Sequence, residues 1–179
     1  QMCIRDSVYA GSAIGVVLAG DLITLFVFWE IMALASSIVI IADGGARLIR
    51  VTKRYFIVHI LGGSLLMTGI VMHAASTGSI ALTGIDPGTM GGTLILAGVL
   101  LNAAGPPLSA WLPDAYPEAS YSGTVFLSAF TTKAAVYVLI RSFPGTEALI
   151  WIGLFMIFYI LFFIEKILVG EKSIHYLRF

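Results

Sequence analysis

Long apolar stretches, separated by short polar breaks, constrain the fold of this chain more than any other feature. Hydrophobic residues make up 59% of its 179 residues and charged residues 11%, whereas about a quarter of the residues in a soluble domain are charged. A helix that crosses a bilayer needs about 20 apolar residues. The chain is therefore predicted to be an all-α, polytopic transmembrane helix bundle with about six spans.

The polar breaks set the boundaries of these spans. The first apolar stretch, Val8–Gly20, is short and is expected to be a truncated span. The stretch Gly91–Leu112 is interrupted by glycine and proline, which break a helical pattern. The other predicted spans are Leu22–Ala42, Tyr55–Ala75, Ser122–Ser142 and Ala148–Ile164. The predicted connections are Asp43–Arg54, Ser76–Met90, Pro113–Tyr121 and Phe143–Glu147.

The first seven residues are expected to lie outside the fold. The run Met2-Cys3-Ile4-Arg5-Asp6-Ser7 resembles the translation of a sequencing adapter, and residues 1–7 are interpreted as a non-native leader. A short polar lead-in is the alternative. The transmembrane domain is accordingly predicted to begin at Val8.

Two formal charges lie near the middle of apolar stretches. Glu30 lies within LITLFVFWEIMALASSIVIIA and Lys133 within GTVFLSAFTTKAAVYVLI. A charge at the bilayer centre costs roughly 2.5–3.5 kcal/mol on insertion scales, so such residues usually face the bundle interior and have a function. Asn102 lies half-way along its own stretch, and we expect the three side chains to face one another. The alternative for Asn102 is a hydrogen bond that only holds two helices together.

The run Gly105-Pro106-Pro107 predicts a break in the helix that follows Gly91. Proline lacks the backbone donor and clashes with the preceding turn. Inside a membrane the freed carbonyls need partners in protein or water. We therefore expect helical geometry to end near Gly105, although Pro107 alone is also compatible with a simple kink.

Two further residues are candidates for a proton relay. His59 lies one turn into its span, where a helix–helix hydrogen bond is the more common role. Tyr137 lies four residues after Lys133 and shares its helix face, which places it within reach of the ammonium group. The neighbouring pair Gly62-Gly63 is interpreted as a site of close helix packing.

The chain shows no enzymatic motif and no cofactor site. It has no Gly-rich phosphate loop, no cluster of metal or haem ligands and no nucleophile–base pair. The net charge of zero suggests no nucleic-acid partner. The four basic residues of 43–54 place this loop on the cytoplasmic side of the inner (plasma) membrane; they are Arg47, Arg50, Lys53 and Arg54.

The run GPPLSAWLPDAYPEA at 105–119, with Phe-Thr-Thr-Lys at 130–133 and Phe-Trp-Glu at 28–30, resembles antiporter-like membrane subunits. Complex I (NADH-quinone oxidoreductase) and multisubunit Mrp-type cation/proton antiporters share these subunits, and the similarity is greatest to the D-type subunit of the Mrp antiporters. The resemblance covers most of Val8–Tyr159. It implies a fold of inverted repeats, each with a broken helix, of which this chain is about the first.

The resemblance also implies roles for individual residues. Glu30 matches the family's glutamate and Lys133 its central lysine, while Asn102 stands where many relatives have a second lysine that pairs with the glutamate. Beyond Tyr159 the sequence departs from the family pattern. Residues 165–179 are interpreted as a divergent or frameshifted tail, which leaves residues 8–164 as the transmembrane domain.

These features favour a proton-translocating subunit of a multisubunit cation/proton antiporter, in which Glu30 and Lys133 exchange protons near Asn102. Other membrane subunits are the expected partners. Protons are the expected transported ions, and Na⁺ is a candidate for the second. One alternative is a complex I subunit in a NADH-quinone oxidoreductase. The other is a non-conducting structural subunit, in which Glu30 and Lys133 form an ion pair.

Overall fold

The computed structural model describes residues 2–41, 44–105, 109, 111–116, 119–159 and 161. It divides into a unit from Gln1 to Pro144 and a unit from Gly145 to Phe179. The helices of the first unit are α1 (Met2–Leu18), α2 (Leu22–Ile40), α3 (Ala46–Thr77), α4 (Met90–Asn102), α5 (Trp111–Ala115) and α6 (Tyr121–Ser142). The second unit contributes α7 (Glu147–Tyr159). The predicted all-α class is confirmed.

Three described helices are long and apolar enough to cross a membrane, namely Leu22–Ile40, Ala46–Thr77 and Gly123–Ser142. Two shorter apolar helices, Met90–Asn102 and Glu147–Tyr159, accompany them. At about 1.5 Å per residue, α4 is shorter than the hydrocarbon core of a bilayer, which is about 30 Å thick. The α4 helix is therefore too short to cross the apolar layer by itself.

Five helices of the first unit form a closed ring. Each packs on the next in the order α1, α2, α3, α4 and α6, and α6 packs back on α1. The short helix α5 packs against α3, and α2 also contacts α6 across the ring. The interior is filled by large, fully buried side chains, among them Tyr9, Trp29, Tyr55, Leu66 and Ile95.

The connection between α3 and α4 ties the helix ends together on one side of this ring. The Leu22 N–H donates to the Ile80 carbonyl at 2.9 Å, and the Ile85 N–H donates to the Ser142 carbonyl at 3.0 Å. Asp21 caps α2 by accepting hydrogen bonds from the Thr24 hydroxyl at 2.7 Å and the Thr24 N–H at 2.8 Å. These two donors hold the pKa of the Asp21 carboxyl below its usual range. The caps define where the spans begin and end.

The prediction that 43–54 is a polar loop is wrong for most of its length, because α3 already begins at Ala46. Alanine, leucine, arginine and lysine are all strong helix formers, so the basic residues extend the membrane helix beyond its apolar part. Gly45, at a φ of 115°, precedes this helix. Residues 2–7, for which the sequence predicts a position outside the fold, are part of α1.

Glycines bring α3 and α4 into backbone contact. A Cβ atom at Gly98 would lie 2.6 Å from the Gly62 carbonyl oxygen, and a Cβ at Gly69 would lie 2.8 Å from that of Gly91. Small residues at these positions allow two membrane helices to approach closely. This approach sets the distance between α3 and the end of α4, where the candidate site lies.

Candidate functional site

The carboxyl group of Glu30 lies against the backbone of α3. A Cβ atom at Gly63 would overlap Glu30 Oε1, so only glycine leaves space for the carboxyl group in this position. Glu30 Oε1 is buried and has no hydrogen-bond partner among the described residues. A buried carboxyl oxygen without a partner is costly, which is typical of a functional group rather than of a packing contact.

Asn102 approaches the same part of α3 from α4. Its side chain is 1% exposed, and Oδ1 lies so close to Gly62 that a Cβ there would be only 2.9 Å away. Neither Oδ1 nor Nδ2 has a hydrogen-bond partner among the described residues. The structure therefore brings Glu30 and Asn102 to adjacent glycines of one helix, and we refer to these four residues as the glycine-pair site.

Helix α4 ends at Asn102 in a turn that satisfies its last carbonyl groups. The Gly105 N–H donates to the Leu100 carbonyl at 2.9 Å, and the Ala104 N–H donates to the Leu101 carbonyl at 3.3 Å. This pair of bonds is the Schellman motif. Ala104 has a φ of 59°, a left-handed conformation that is uncommon for a residue with a side chain.

The helical pattern from Gly91 to Leu112 is thus interrupted after Asn102, and the carbonyls at the break find partners in protein. The Trp111 Nε1–H donates a second bond to the Leu101 carbonyl at 3.3 Å. Gly105 lies outside the helix, whereas Pro106 and Pro107 lie outside the described residues.

His59 is part of an aromatic cluster beside this break. Its ring stacks on Tyr55 with a centroid distance of 3.9 Å and meets the edge of Trp111 at 4.8 Å. His59 Nδ1 lies 3.0 Å from the Tyr55 carbonyl. The side chain is 1% exposed. The structure therefore places this predicted relay candidate in the bundle interior, one turn before the glycine pair.

Hydroxyl groups join the helices around Tyr55. Its hydroxyl donates to Ser36 Oγ of α2 at 2.8 Å, and Tyr9 of α1 shares a hydrogen bond with Thr131 of α6. Both the threonine and the serine are buried. The sequence analysis did not single out these residues, because serine, threonine and tyrosine within a span are common helix–helix contacts.

Lys133 does not join the glycine-pair site. Its side chain is exposed and lines a groove between α1 and α6 together with Ile14, Val17, Phe130 and Tyr137. The expectation that Lys133 faces Glu30 and Asn102 in the bundle interior is therefore wrong for the described residues. Thr131 and Ala135, whose side chains are buried, form the inward face of α6, and Lys133 between them points elsewhere on the helix.

Tyr137 shares the groove with Lys133, as the four-residue spacing predicts, but its hydroxyl binds other partners. It donates to the Val17 carbonyl of α1 at 3.1 Å and accepts a hydrogen bond from Arg141 at 3.3 Å. Arg141 also donates to the same carbonyl at 3.2 Å. These contacts hold the ends of α1 and α6 together beside Lys133.

The described residues contain no group of three histidine, cysteine, aspartate or glutamate side chains that could hold a metal ion.

Gly62 and Gly63 are part of the site, although the sequence predicted only close helix packing for them. They do pack closely, but their neighbours also include the two polar candidates, Glu30 and Asn102. The available signal was a glycine pair in the middle of a span, at the level where Glu30 and Asn102 were expected.

The fold agrees with comparisons of the whole sequence. The family described as "NADH:quinone oxidoreductase/Mrp antiporter, TM" matches residues 19–170. The chain belongs to this family. Relatives of this family include membrane subunits of antiporters and of NADH-quinone oxidoreductases, which agrees with the apolar helices of the structure.

Relatives of both kinds are similar to this chain. It is 28% identical to the D-type subunit of the Na(+)/H(+) antiporter of Alkalihalophilus pseudofirmus, covering 82% of this chain and 34% of the relative. It is 30% identical to the NADH-quinone oxidoreductase subunit M of Escherichia coli, covering 83% and 35%. The chain thus spans about a third of the length of these relatives.

A solved structure shares the arrangement of the helices. The Mrp complex from Dietzia sp. contains a chain that is 25% identical to this one, with a TM-score of 0.71 over 82% of this chain and 30% of that chain. The predicted resemblance to antiporter-like subunits is therefore confirmed.

Proposed function

We propose that this chain carries protons through the membrane and that Glu30 is the group that binds them at the glycine-pair site. The observation that carries the proposal is the carboxyl oxygen of Glu30, which is buried in the middle of α2 without a hydrogen-bond partner among the described residues. A carboxyl group in this position exchanges between a neutral acid and a carboxylate, which is the chemistry that a proton carrier needs.

Asn102 has a different role from Glu30, because an amide does not titrate. Its acceptor Oδ1 lies beside Gly62, and neither Oδ1 nor the donor Nδ2 has a hydrogen-bond partner among the described residues, so both are available to bind water or the protonated carboxyl group. The resemblance to antiporter-like subunits implies a lysine at this position in many relatives. The proposed site therefore uses one titratable group where the lysine-bearing relatives use an ion pair.

Lys133 is the second proton-carrying group of the proposal. Since it lies in the groove between α1 and α6, the geometry does not support direct exchange with Glu30. Thr131 lies two residues before Lys133 and points into the bundle, where it is hydrogen-bonded to Tyr9. This turn of α6 therefore carries one polar side chain that faces the interior and one that lines the groove.

The proposed context is a multisubunit cation/proton antiporter in the plasma membrane, with Na⁺ as the exchanged cation and the basic end of α3 on the cytoplasmic side. Similarity to the D-type subunit of an Na(+)/H(+) antiporter supports it. Similarity to a NADH-quinone oxidoreductase subunit M supports the alternative, in which the same proton path is driven by a redox reaction on partner subunits.

Glu30→Gln is expected to reduce proton transport by about a hundredfold or more, because glutamine keeps the shape and the polar contacts but does not bind a proton. The measurement is proton flux in vesicles that contain the full-length protein with its partner subunits. Glu147→Gln, which changes an exposed glutamate at the start of α7, is the matched control. Wild-type flux in Glu30→Gln would contradict the proposed function.

A further inference from the structure

The buried face of α3 changes its chemical character half-way along the helix. Most of the buried residues follow one another at intervals of three or four, which places them on one face; they are Thr52, Tyr55, His59, Gly62, Gly63, Leu66, Gly69 and Ile70. Before the glycine pair this face carries hydroxyl and imidazole groups. After the pair its side chains are only apolar. A polar track therefore leads from the N-terminal end of α3 to Glu30 and Asn102, and it stops there.

His59 is the titratable group on this track that lies nearest in sequence to the glycine pair. Its Nδ1 lies 3.0 Å from the Tyr55 carbonyl, and a carbonyl oxygen only accepts hydrogen bonds. Nδ1 therefore carries a hydrogen. The stacked Tyr55 ring and the Trp111 edge fix the orientation of the imidazole.

The other ring nitrogen is available for chemistry. His59 Nε2 is buried and has no hydrogen-bond partner among the described residues. In the neutral ring, with the hydrogen on Nδ1, Nε2 is a bare acceptor. A histidine that serves only to join two helices would be expected to use this nitrogen in a hydrogen bond as well.

The position of His59 on α3 and its contact with Trp111 place it beside the glycine-pair site. It lies three and four residues before Gly62 and Gly63, which is one helical turn. Trp111 contacts the His59 ring and donates to the carbonyl of Leu101, the neighbour of Asn102. The titratable groups on the elements packed around this turn are Tyr55 on α3 itself, which stacks on the imidazole, Tyr116, which packs on Trp111, and Glu30 of α2, whose carboxyl group lies against Gly63 one turn further along α3.

We propose that His59 passes protons between the N-terminal end of α3 and Glu30. A proton binds to Nε2 and forms the imidazolium, then leaves from the same nitrogen to the Glu30 carboxylate, which restores the neutral ring. The Nδ1–H bond to the Tyr55 carbonyl persists throughout. This inference rests on the proposed function, because it names a second proton-carrying group on the path to Glu30.

His59→Asn separates a relay from a structural role. The asparagine amide keeps an N–H near the position of Nδ1 for the Tyr55 carbonyl, but it has no group that binds a proton in place of Nε2. Proton flux in vesicles is expected to fall about tenfold or more, while assembly with the partner subunits is unchanged. The control is His73→Asn, near the other end of α3, for which wild-type flux is expected.

A normally assembled His59→Asn protein with wild-type flux would overturn the inference. If the variant fails to assemble, ¹⁵N NMR of the histidine-labelled wild-type protein decides, because the inference requires a bare Nε2 at rest that gains a proton on acidification. A resting ring with hydrogen on Nε2 alone would overturn it. Loss of flux in Glu30→Gln together with normal flux in His59→Asn would contradict only the relay role of His59. Normal flux in Glu30→Gln would contradict the proposed function itself.

Discussion

Replacing Lys133 by alanine is expected to abolish proton transport, with a loss of about a hundredfold or more, while the protein still assembles. Its side chain is exposed in the groove between α1 and α6, so its removal leaves no unpaired charge in the bundle interior. Lys133→Arg is expected to transport nearly as poorly, because a guanidinium group does not release its proton in the working range of pH. Proton flux and the yield of assembled complex are the two measurements.

The variant Lys133→Arg distinguishes a proton-carrying role of Lys133 from a purely structural role. A non-conducting subunit held together by the charge of Lys133 would tolerate arginine and would fail to assemble with alanine. The described residues include no ion pair between Lys133 and Glu30, whose buried Oε1 has no hydrogen-bond partner, so the ion pair that the structural alternative requires is not formed here. Normal flux in Lys133→Arg would contradict the proton-carrying role of this residue.

Gly63→Ala is expected to reduce proton transport by about tenfold to a hundredfold without unfolding the protein. The new methyl group would overlap Glu30 Oε1. Because that atom is at the end of a flexible side chain, the carboxyl group moves and the helix backbone stays in place. Small displacements of a reacting group have large effects on rate. Proton flux and thermal unfolding in detergent, measured on the same preparation, test both parts of this expectation.

Two other glycines provide the controls for this experiment. A Cβ atom at Gly98 would meet backbone atoms, 2.6 Å from the Gly62 oxygen and 2.8 Å from the Leu66 nitrogen. Gly98→Ala is therefore expected to destabilise the α3–α4 contact by about 1–3 kcal/mol. A Cβ at Gly11 has no neighbour within 4 Å, so Gly11→Ala is expected to change neither property. If Gly63→Ala instead lowers the stability of the protein as Gly98→Ala does, then Gly63 is needed for the backbone contact between helices and not for the position of Glu30.

Several helix boundaries were predictable from the sequence because apolar length is a strong signal in membrane helices, although only three of the about six predicted spans correspond to described helices long enough to cross a membrane. The boundary at Leu22 and the end of α6 at Ser142 agree with the structure, and α4 ends before the glycine–proline run. Residues 46–54 were assigned to a loop because their charges excluded them from the membrane. Charge does not prevent a helix from continuing beyond its apolar part, and α3 continues through its basic residues.

The direction in which Lys133 points was not predictable from its position in the sequence. A charge in the middle of an apolar stretch indicates depth in the membrane, but it does not indicate which face of the helix turns inward. In a soluble helix the polar face would show this. In α2 the exposed residues Ile23, Val27 and Ile31 are as apolar as the buried Leu25 and Trp29, because lipid and protein interior favour the same side chains.

The glycine-pair site shows a second limit of prediction from a single sequence. Glu30 and Asn102 were recognised individually, yet their common location depends on how closely α3 and α4 approach. That distance is set by Gly62, Gly69, Gly91 and Gly98, whose pairing across two helices is not visible in a single sequence. Only the three-dimensional contact shows that the glycine pair accommodates polar groups as well as backbone.

The proposed function requires that the Glu30 carboxyl group gains and loses a proton during transport. Infrared difference spectroscopy of the assembled full-length protein measures this protonation change directly. A pH step across the vesicle membrane is expected to change the carbonyl stretching band of a protonated carboxyl group. This change is expected to disappear in Glu30→Gln and to persist in Glu147→Gln. A change that persists in Glu30→Gln, or a wild-type protein that transports protons with no change in this band, would contradict the proposed function.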